Sequence, residues 1–361
     1  MTCFTGSAPP PEAGCSALAW HTGDGKSLWG RNYDFDRLAE GARILVLPRG
    51  TPYRLLWAGD SGGKDHTAAV RYACAGTGLL LGPAPVLYEG LNEAGLMGGQ
   101  LYYRGFAHYG EGPAAGARPI QPPFLVLHLL AQCATVEEAV RCLEKELRLV
   151  PLPLLGTVPP LHWSFSDRTG ESIVVEPDRE GLHIYRNTLG VMTNSPGYPW
   201  HRLNLLNYAG LRDLDHPGTP LAKELEQCFS GSGAQGLPGD WSSPSRFVRL
   251  AFLRAFAPTG EGEASGVARM FRLLQSAAFP LGAVRVSHQS PVTELDTHTV
   301  PYDYTVYTSV CCAQSRRFYW TTYENQRIRY LELEPLLERP APLQFPLYQT
   351  PDFLPVTDLF R

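Results

Sequence analysis

The sequence predicts an α+β fold, because short strand-like segments are interrupted by two pairs of helix-like segments. The strand-like segments are short, rich in apolar residues and separated by turn residues such as Gly, Pro and Asp. One helix also carries a clear N-terminal capping signal. The order along the chain is strands, helix pair, strands, helix pair, strands. This order predicts helices packed on antiparallel sheets, and by itself it indicates nothing more specific than α+β.

The first predicted element is a β-hairpin. Ser16 to His21 forms a short apolar strand, Gly23-Asp24-Gly25 has the residues of a tight turn, and Ser27 to Arg31 runs back. Further strands are predicted at Ile44 to Pro48, Ala68 to Ala75 and Gly78 to Leu81.

The first helical pair begins with Phe124 to Cys133, an apolar stretch. Thr135 then caps a second helix and forms a capping box with Glu138. The apolar stripe of that helix consists of Ala139, Val140, Leu143 and Leu147. The second helical pair is predicted at Ser245 to Ala257 and Gly266 to Ala278.

Between and after the helical pairs the pattern returns to short strands. Those between the pairs are His162 to Phe165, Ser172 to Glu176, Leu182 to Arg186 and Gly190 to Thr193. A meander of Tyr304 to Ala313, Arg317 to Tyr323 and Arg327 to Glu332 precedes a Pro-rich tail. The segment from Asn204 to Gly236 is long, rich in Gly and Pro, and predicted to be helical only around Leu221 to Cys228.

The composition narrows the class of protein. The chain has 361 residues, 44% of them hydrophobic and 18% charged, with a formal net charge of -4. No linker divides it, so one catalytic domain is expected. The mild negative charge gives no footprint for nucleic acid or an anionic membrane. No uninterrupted apolar stretch is long enough for a transmembrane helix.

Metal and cofactor signals are also weak. The ten histidines include no His-x-x-His or His-x-x-x-His pair. The glycines from Gly231 to Gly236 follow no predicted strand and begin no predicted helix, so a dinucleotide site is not expected. We therefore expect no metal and no cofactor.

The eight cysteines include no Cys-x-x-Cys pair, and a chain of this length needs no disulfide staples. The first fourteen residues have no Lys, no Arg and no apolar core of a signal peptide. Reduced thiols and a cytoplasmic location are the simplest expectation. Cys74, Cys133 and Cys142 lie in apolar contexts and are expected to be inert core residues.

The chemistry of the chain is concentrated in the first hairpin. Cys15 is followed sixteen residues later by Arg31 and nineteen residues later by Asp34. If the backbone were cut before Cys15, this residue would carry both a thiol and a free α-amine. An α-amine titrates at about 8 and can act as the general base that a thiol of pKa about 8.5 requires. Cys15 would then be a complete nucleophilic unit.

This hypothesis assigns Met1 to Gly14 to a removable prosegment and residues 15 to 361 to the catalytic domain. A plain N-terminal extension is the alternative. Cys3 is the competing nucleophile, but the residue sixteen positions beyond it is Ala19, and no Asp-Gly turn intervenes. Cys3 is therefore rejected.

The run that begins at Cys15 resembles the start of the choloylglycine hydrolase family, which contains bile salt hydrolases and penicillin V acylases. This family belongs to the N-terminal nucleophile hydrolases. The matching blocks are Thr22-Gly23, Asp24-Gly25, Gly30 to Asp34, Gly90 to Leu96, Leu161 to Trp163, Ser166 to Gly170, Val174 to Glu176, Thr193 to Pro196, Leu237 to Asp240, Ser245 to Phe247 and Thr322 to Asn325. The resemblance implies a four-layer αββα sandwich of two antiparallel sheets between helix layers.

The resemblance also implies roles for individual residues. Asn194 would contribute its side-chain amide to an oxyanion hole, with a backbone N–H at Tyr102 as the second donor. The charge of Arg31 would favour the thiolate of Cys15, and Asp34 would orient the free α-amine. Arg246 matches a site arginine of the family, and its position at the start of a helix is electrostatically unfavourable for a purely structural cation.

The resemblance leaves the substrate open. Many bile salt hydrolases have an asparagine where this chain has Tyr102, whereas penicillin V acylases commonly have tyrosine. Residues that could line an acyl pocket, or equally be ordinary core, are Tyr33, Met97, Leu152, Leu154 and Val158.

We interpret the chain as an amidohydrolase that cleaves a linear amide between an apolar acyl group and a small polar amine. Conjugated bile salts are the first expected substrate, penicillin V is the second, and N-acyl-homoserine lactones are the third. The alternative from another class of function is an unprocessed, non-catalytic binding protein of the same fold. The long loop from Asn204 to Gly236 resembles one found in tetrameric relatives, so a homo-oligomer such as a tetramer is also expected; a surface excursion is the other interpretation.

Overall fold

Two large antiparallel sheets lie face to face, and helices cover the outer face of each, so the fold is the predicted αββα sandwich. The computed structural model describes residues 14–57, 66–82, 84–110, 116–286, 295 and 299–357. The predicted prosegment and Cys3 lie outside the described residues, apart from Gly14, which begins the first strand.

The strands of the first half of the chain are β1 (Gly14–His21), β2 (Ser27–Phe35), β3 (Arg43–Leu47), β4 (Pro52–Arg54), β5 (Thr67–Ala69), β6 (Cys74–Leu81), β7 (Ala84–Asn92), β8 (Met97–Tyr102), β9 (Arg118–Ile120) and β10 (Leu147–Leu149). Those of the second half are β11 (Leu161–Ser166), β12 (Ser172–Asp178), β13 (Gly181–Tyr185), β14 (Val191–Met192), β15 (Gly218–Thr219), β16 (Ala222–Glu226), β17 (Val284–Arg285), β18 (Tyr302–Cys312), β19 (Arg317–Thr322), β20 (Arg329–Glu332) and β21 (Leu343–Pro346). The α-helices are α1 (Leu125–Gln132), α2 (Val136–Lys145), α3 (Tyr198–Asn204), α4 (Ser243–Phe256) and α5 (Glu263–Gln275).

Sheet A has the strand order β14-β1-β2-β18-β19-β20, with β17 paired to β18. Sheet B has the order β13-β12-β11-β8-β7-β6-β3-β21. Helices α4 and α5 pack on sheet A, and α1 packs on sheet B. Helix α2 joins the same apolar core as α1, through buried residues that include Val136, Ala139 and Leu143. Within the described residues no helix is long and apolar enough to cross a membrane.

The register of the β1–β2 hairpin decides which side chains face sheet B. Cys15 lies opposite Tyr33, and Ala17 lies opposite Arg31. Arg31 donates from Nη1 to the carbonyl oxygen of Gln100 in sheet B at 2.8 Å, so this face of the hairpin points into the space between the sheets. Side chains directly opposite each other share a face, which places the thiol of Cys15 on the same side.

Most elements agree with the sequence prediction. Both helical pairs are confirmed, and Thr135 caps α2 by accepting a hydrogen bond from the backbone N–H of Glu138 at 3.2 Å. The reciprocal contact of a capping box is shifted by one residue, because the Glu138 carboxylate accepts from the N–H of Ala134. Leu147, placed in the stripe of that helix, begins β10 instead.

Three predictions about local structure were wrong or incomplete. The segment from Leu221 to Cys228 is not helical: Ala222–Glu226 is β16, which forms an exposed hairpin with β15 around a turn that contains Pro220. The strands predicted at Ala68 to Ala75 and at Gly78 to Leu81 are divided elsewhere, because β5 ends at Ala69 and β6 runs from Cys74 through Gly76 to Leu81. At Gly76 a side chain would meet the carbonyl oxygen of Glu89 at 1.9 Å, so this glycine permits a close approach of β7 rather than ending the strand.

The third difference lies in the tail. Leu343–Pro346 forms β21 and completes the edge of sheet B against β3. The prolines around this segment concealed the strand, although Pro is compatible with an edge position.

Candidate active site

Most of the predicted site residues meet at the open end of the β1–β2 hairpin. Strand β1 is flanked on one side by β2, which carries Arg31 and Asp34, and on the other by β14. The loop that follows β14 carries Asn194, and α4, which packs on β1, carries Arg246 in its first turn. Strand pairing therefore brings residues that are far apart in sequence to the backbone and thiol of Cys15.

The thiol of Cys15 lies against the Arg31 guanidinium. Arg31 donates from Nη2 to the Cys15 sulfur at 2.9 Å, and both side chains are buried. The sulfur also lies 3.8 Å from the backbone carbonyl oxygen of Asp34. The cation and the thiol are thus in direct contact, as the spacing of the hairpin predicted.

Burial opposes the charge of Arg31. Desolvation raises the pKa of the Cys15 thiol, and although Arg31 and Arg246 act to lower that pKa, the net direction is upward. Arg31 therefore acts in the direction that favours the thiolate, but the effect of burial on the pKa is larger. In this environment Cys15 is a neutral thiol at neutral pH and requires a base to become a nucleophile.

Asp34 is fully buried beside the backbone of Cys15. It pairs with Gly14 across the hairpin, and its Oδ1 accepts from the hydroxyl of Thr305. Its Oδ2 has no hydrogen-bond partner among the described residues. Burial raises the pKa of this carboxyl to about 7, although Arg246, Thr305 and Arg31 lower it. An oxygen without a partner at this position fits a donor that the uncut chain does not supply.

The side chain of Asn194 is held in one orientation by donors on its oxygen. Oδ1 accepts from the backbone N–H of Cys15 at 2.8 Å and from Arg246 Nη2 at 2.7 Å. Because two donors face the oxygen, the amide nitrogen is turned away from them, and it donates to the carbonyl oxygen of Tyr102 at 2.9 Å. Asn194 and Tyr102 are therefore in contact, but through the Tyr102 carbonyl oxygen and not through the backbone N–H that is the predicted second donor.

Arg246 joins several of these groups. Its Nη1 donates to the carbonyl oxygen of Cys15 and, at 2.7 Å, to the hydroxyl of Ser16. Its Nε donates to the carbonyl oxygen of Trp241 at 2.8 Å. The guanidinium is buried at the start of α4, where the helix dipole is unfavourable for a cation, so these acceptors stabilise it.

A largely apolar cavity opens beside the thiol. It encloses about 970 Å³ between protein atoms, including its open mouth. The polar groups Arg31, Asp34 and Gln100 lie beside Cys15, and Arg37 is neutralised by a buried ion pair with Asp36 at 2.7 Å. The remaining lining is mainly aliphatic and aromatic: Tyr33, Phe35, Ala39, Leu79, Leu81, Val86, Tyr88, Tyr102, Pro123, Leu154, Leu155, Thr157, Pro159, Leu161 and Leu295.

The residues predicted to line an acyl pocket are divided. Tyr33 and Leu154 line the cavity, whereas Met97, Leu152 and Val158 are not among its lining residues. Met97 lies at the opposite end of β8 from Tyr102 and is fully buried in the core between the sheets. The segment around Leu154 turns so that Leu155, Thr157 and Pro159 line the cavity instead of Leu152 and Val158.

Sequence reasoning missed several polar residues of the site. Glu89 in β7 contacts Arg31, Tyr307 in β18 contacts Glu89, and Thr305 contacts Asp34. A glutamate immediately before the Gly90 block was a weak signal, since it interrupts an otherwise uncharged strand. Nothing in the sequence indicated Thr305 and Tyr307, because their proximity to the site depends on the pairing of β18 with β2.

Comparison with known proteins identifies the family of the chain. The sequence model for linear amide C–N hydrolases, choloylglycine hydrolase family, matches residues 15–337. The chain belongs to the choloylglycine hydrolase family. It is therefore an amidohydrolase of linear amides, as the resemblance of its sequence blocks predicted.

Other members of the choloylglycine hydrolase family vary in their similarity to the chain. A bile salt hydrolase/transferase from Clostridium perfringens is 33% identical over 322 residues, which are 88% of this chain and 92% of that protein. A penicillin V acylase from Pectobacterium atrosepticum is 28% identical over 211 residues, which are 54% of this chain and 50% of the acylase. The solved structure of a mutant conjugated bile acid hydrolase from Clostridium perfringens superposes with a TM-score of 0.81 at 30% identity, covering 95% of this chain and 99% of that chain.

Proposed function

We propose that this amidohydrolase cleaves conjugated bile salts into a free bile acid and glycine or taurine. The observation that carries the proposal is the cavity whose lining is mainly apolar and includes Cys15 together with Arg31 and Asp34. A steroid acyl group is large, rigid and mainly apolar, so it can fill such a cavity while its amide reaches the sulfur. The relative that matches 88% of the chain at 33% identity is named a bile salt hydrolase/transferase, which supports the same substrate.

The proposed chemistry begins with Cys15 as an N-terminal residue. Its α-amine takes the thiol proton while the sulfur attacks the amide carbon, so that a C–S bond forms. The side-chain amide of Asn194 and the backbone N–H at Tyr102 are the proposed donors to the oxyanion. The C–N bond then breaks as the leaving amine takes the proton from the α-ammonium. Water hydrolyses the thioester in the second half, with the same α-amine as base.

We extend the proposal to maturation by removal of residues 1 to 14. Oδ2 of Asp34 is buried and has no hydrogen-bond partner among the residues that the structure describes, and Asp34 lies opposite Gly14 in the hairpin register. An α-ammonium created at Cys15 would supply the donor that this oxygen lacks. The family match begins at Cys15, which supports the same cleavage point. Burial and the Arg246 contacts would hold the new terminus in place.

The first test compares substrates on protein of defined mass. Intact-mass measurement establishes whether the chain begins at Cys15, and kcat/KM is then measured for glycocholate, taurocholate and penicillin V. Hydrolysis of either bile salt at least tenfold faster than penicillin V supports the proposal. An active protein that retains residues 1 to 14 would contradict the proposed role of the α-amine.

Penicillin V is the second candidate, because Tyr102 is present where many bile salt hydrolases have asparagine. The ring of Tyr102 lines the cavity and lies 5.7 Å from the ring of Phe35, centroid to centroid. Two neighbouring aromatic rings in the cavity lining favour a flat aromatic acyl group. The same kcat/KM comparison decides between the candidates.

Self-association is a further part of the proposal. The predicted assembly loop carries the exposed β15–β16 hairpin, in which the side chain of Leu221 is 94% exposed. Leu214 and Phe229 on the same loop are 70% and 61% exposed, which is unusual for large apolar residues. We propose that a second copy of this chain covers them. Light scattering should show an oligomer, and Leu221→Ser should weaken its association. A monomer at every concentration would contradict the proposed self-association.

The cytoplasmic location expected from the sequence remains a prediction.

A further inference from the structure

Glu89 is a buried carboxylate that the proposed chemistry does not use. It lies in β7 of sheet B, is fully buried, and contacts Arg31 of sheet A across the space between the sheets. Glu89 Oε2 accepts from Arg31 Nη1 at 3.2 Å and from the Tyr307 hydroxyl at 2.8 Å. A buried carboxylate is costly unless it is paired, so its position between two donors requires an explanation.

Arg31 donates from all three of its guanidinium nitrogens, and Nε donates to the carbonyl oxygen of Asn32 at 3.4 Å. Nη1 donates to Glu89 and to the carbonyl oxygen of Gln100, whereas Nη2 donates to the Cys15 sulfur at 2.9 Å. The ring of Tyr33 lies 5.0 Å from the guanidinium carbon. Because a guanidinium is a rigid planar fork, fixing Nη1 and one face also fixes where Nη2 points.

Glu89 also helps Arg31 to remain charged in a dry environment. Burial lowers the pKa of Arg31, but Cys15, Tyr307 and Glu89 raise it, and the net direction is upward. Burial in turn raises the pKa of Glu89, and the contact with Arg31 acts in the opposite direction. The two charges therefore stabilise each other, which a thiol alone cannot do for the arginine.

We propose that Glu89 is a positioning residue that anchors Arg31 so that its Nη2 faces the Cys15 sulfur. The proposal rests on the proposed role of Cys15 as the nucleophile and goes beyond it by assigning a residue of the opposite sheet to the same unit. Sheet B would then contribute to the reactivity of a thiol that sheet A carries. The two sheets must stay in register for that contact to form.

Several groups face the titrating thiol or its anchor from the surrounding elements. They are Arg31, Tyr33 and Asp34 from β2, Arg246 from α4, Glu89 from β7, and Tyr307 and Cys311 from β18. Arg31 has the largest lowering effect on the Cys15 pKa among them. Displacing Arg31 should therefore raise that pKa.

The test separates the effect of the length of the Glu89 side chain from the effect of its charge. Glu89→Asp keeps the charge but withdraws the carboxylate from Nη1 by one methylene, whereas Glu89→Gln keeps the reach and loses the charge. The amide oxygen of the glutamine can accept from both Arg31 and Tyr307, as Oε2 does now. Glu93→Asp is the control, since it makes the same change at an ion pair with Arg49, and neither of these residues lines the cavity.

The measurement is the pH dependence of Cys15 alkylation by iodoacetamide, followed on the Cys15-containing peptide by mass spectrometry. We expect Glu89→Asp to raise the midpoint by about one pH unit, so that alkylation below both midpoints slows about tenfold. Glu89→Gln should leave the midpoint unchanged or slightly lower, and Glu93→Asp should leave it unchanged.

Three results would overturn the proposal. A shift in Glu89→Gln with none in Glu89→Asp would mean that only the charge matters. Loss of stability in both variants with no shift in either would mean that Glu89 is structural. A Cys15 that is inert to iodoacetamide in the unsubstituted protein would overturn both this proposal and the proposed nucleophile. Because alkylation needs no amide substrate, failure to hydrolyse bile salts would contradict only the proposed substrate.

Discussion

The candidate site has two halves that are built in different ways. Cys15, Arg31 and Asp34 lie on one hairpin, where their separation is set by strand register. Asn194 and Arg246 come from a loop and a helix that reach the same point only because β14 and α4 both pack on β1. The hairpin half is therefore local in sequence, and the loop–helix half depends on the whole of sheet A. Apart from Glu89, which the proposal above assigns to the anchoring of Arg31, changes elsewhere in the chain should affect the first half less than the second.

The prediction with the largest expected effect tests the hairpin half of the site. Cys15→Ala should abolish turnover, because among the described residues only Cys15 supplies a sulfur to the lining of the apolar cavity. If maturation is self-catalysed, intact mass should show that this variant also retains residues 1 to 14. Cys312→Ala is a suitable control, since that cysteine is buried on β18 and does not line the cavity. Residual turnover above a few per cent in Cys15→Ala would place the nucleophile elsewhere.

The next effect tests the loop–helix half. Asn194→Ala should lower kcat by roughly 100- to 1000-fold with little change in KM, as expected for a donor used mainly in the transition state. It also removes an acceptor from Arg246 Nη2 and from the backbone of Cys15, so processing must be confirmed by intact mass. Asn207→Ala, at an exposed asparagine nearby, should change neither constant. A loss confined to KM would move Asn194 to ground-state binding.

The same division explains what the sequence could predict. The contact between Arg31 and Cys15 followed from a turn at Gly23 to Gly25 and the spacing of two strands, which are local facts. Asn194 and Arg246 could be named only by resemblance, since nothing near them in sequence indicates Cys15. Glu89 and Thr305 were missed because their role depends on how the two sheets face each other and on the pairing of β18 with β2.

The fold shows the same limit. Helices with caps and apolar stripes were predicted well, because their signals are local. The hairpin of β16 was missed because its residues favour helix formation, while the pairing with β15 that overrides this preference is a tertiary contact. The acyl pocket was only partly predicted for the same reason. Leu154 lines the cavity, but Met97 in sheet B packs in the core instead.

A smaller effect tests where the two halves meet the substrate. Tyr102 accepts from Asn194 through its backbone, while its ring lines the cavity beside Phe35. Tyr102→Asn should therefore change the ratio of kcat/KM for glycocholate over penicillin V, by roughly 10- to 200-fold, because the backbone is kept and only pocket contacts change. Tyr102→Phe is the matched control and should keep the ratio. Equal loss on both substrates would mean that the ring supports the oxyanion donors rather than the choice of acyl group.

The prediction with the smallest expected effect concerns Asp34, which belongs to the hairpin half yet faces Arg246 of the loop–helix half. Burial raises its pKa from 3.8 to about 7 in the uncut chain. Between these values the folded chain holds a proton that the unfolded chain has lost, so stability should fall as pH rises from about 4 to 7. Asp34→Asn cannot titrate and should remove this part of the slope. We expect the melting temperature of Cys15→Ala to drop a few degrees more between pH 5 and pH 8 than that of Cys15→Ala/Asp34→Asn. Parallel melting curves would mean that the carboxyl is already ionised at pH 5. Arg246 would then hold Asp34 as firmly as it holds Asn194, and the hairpin half would be no more independent than the loop–helix half.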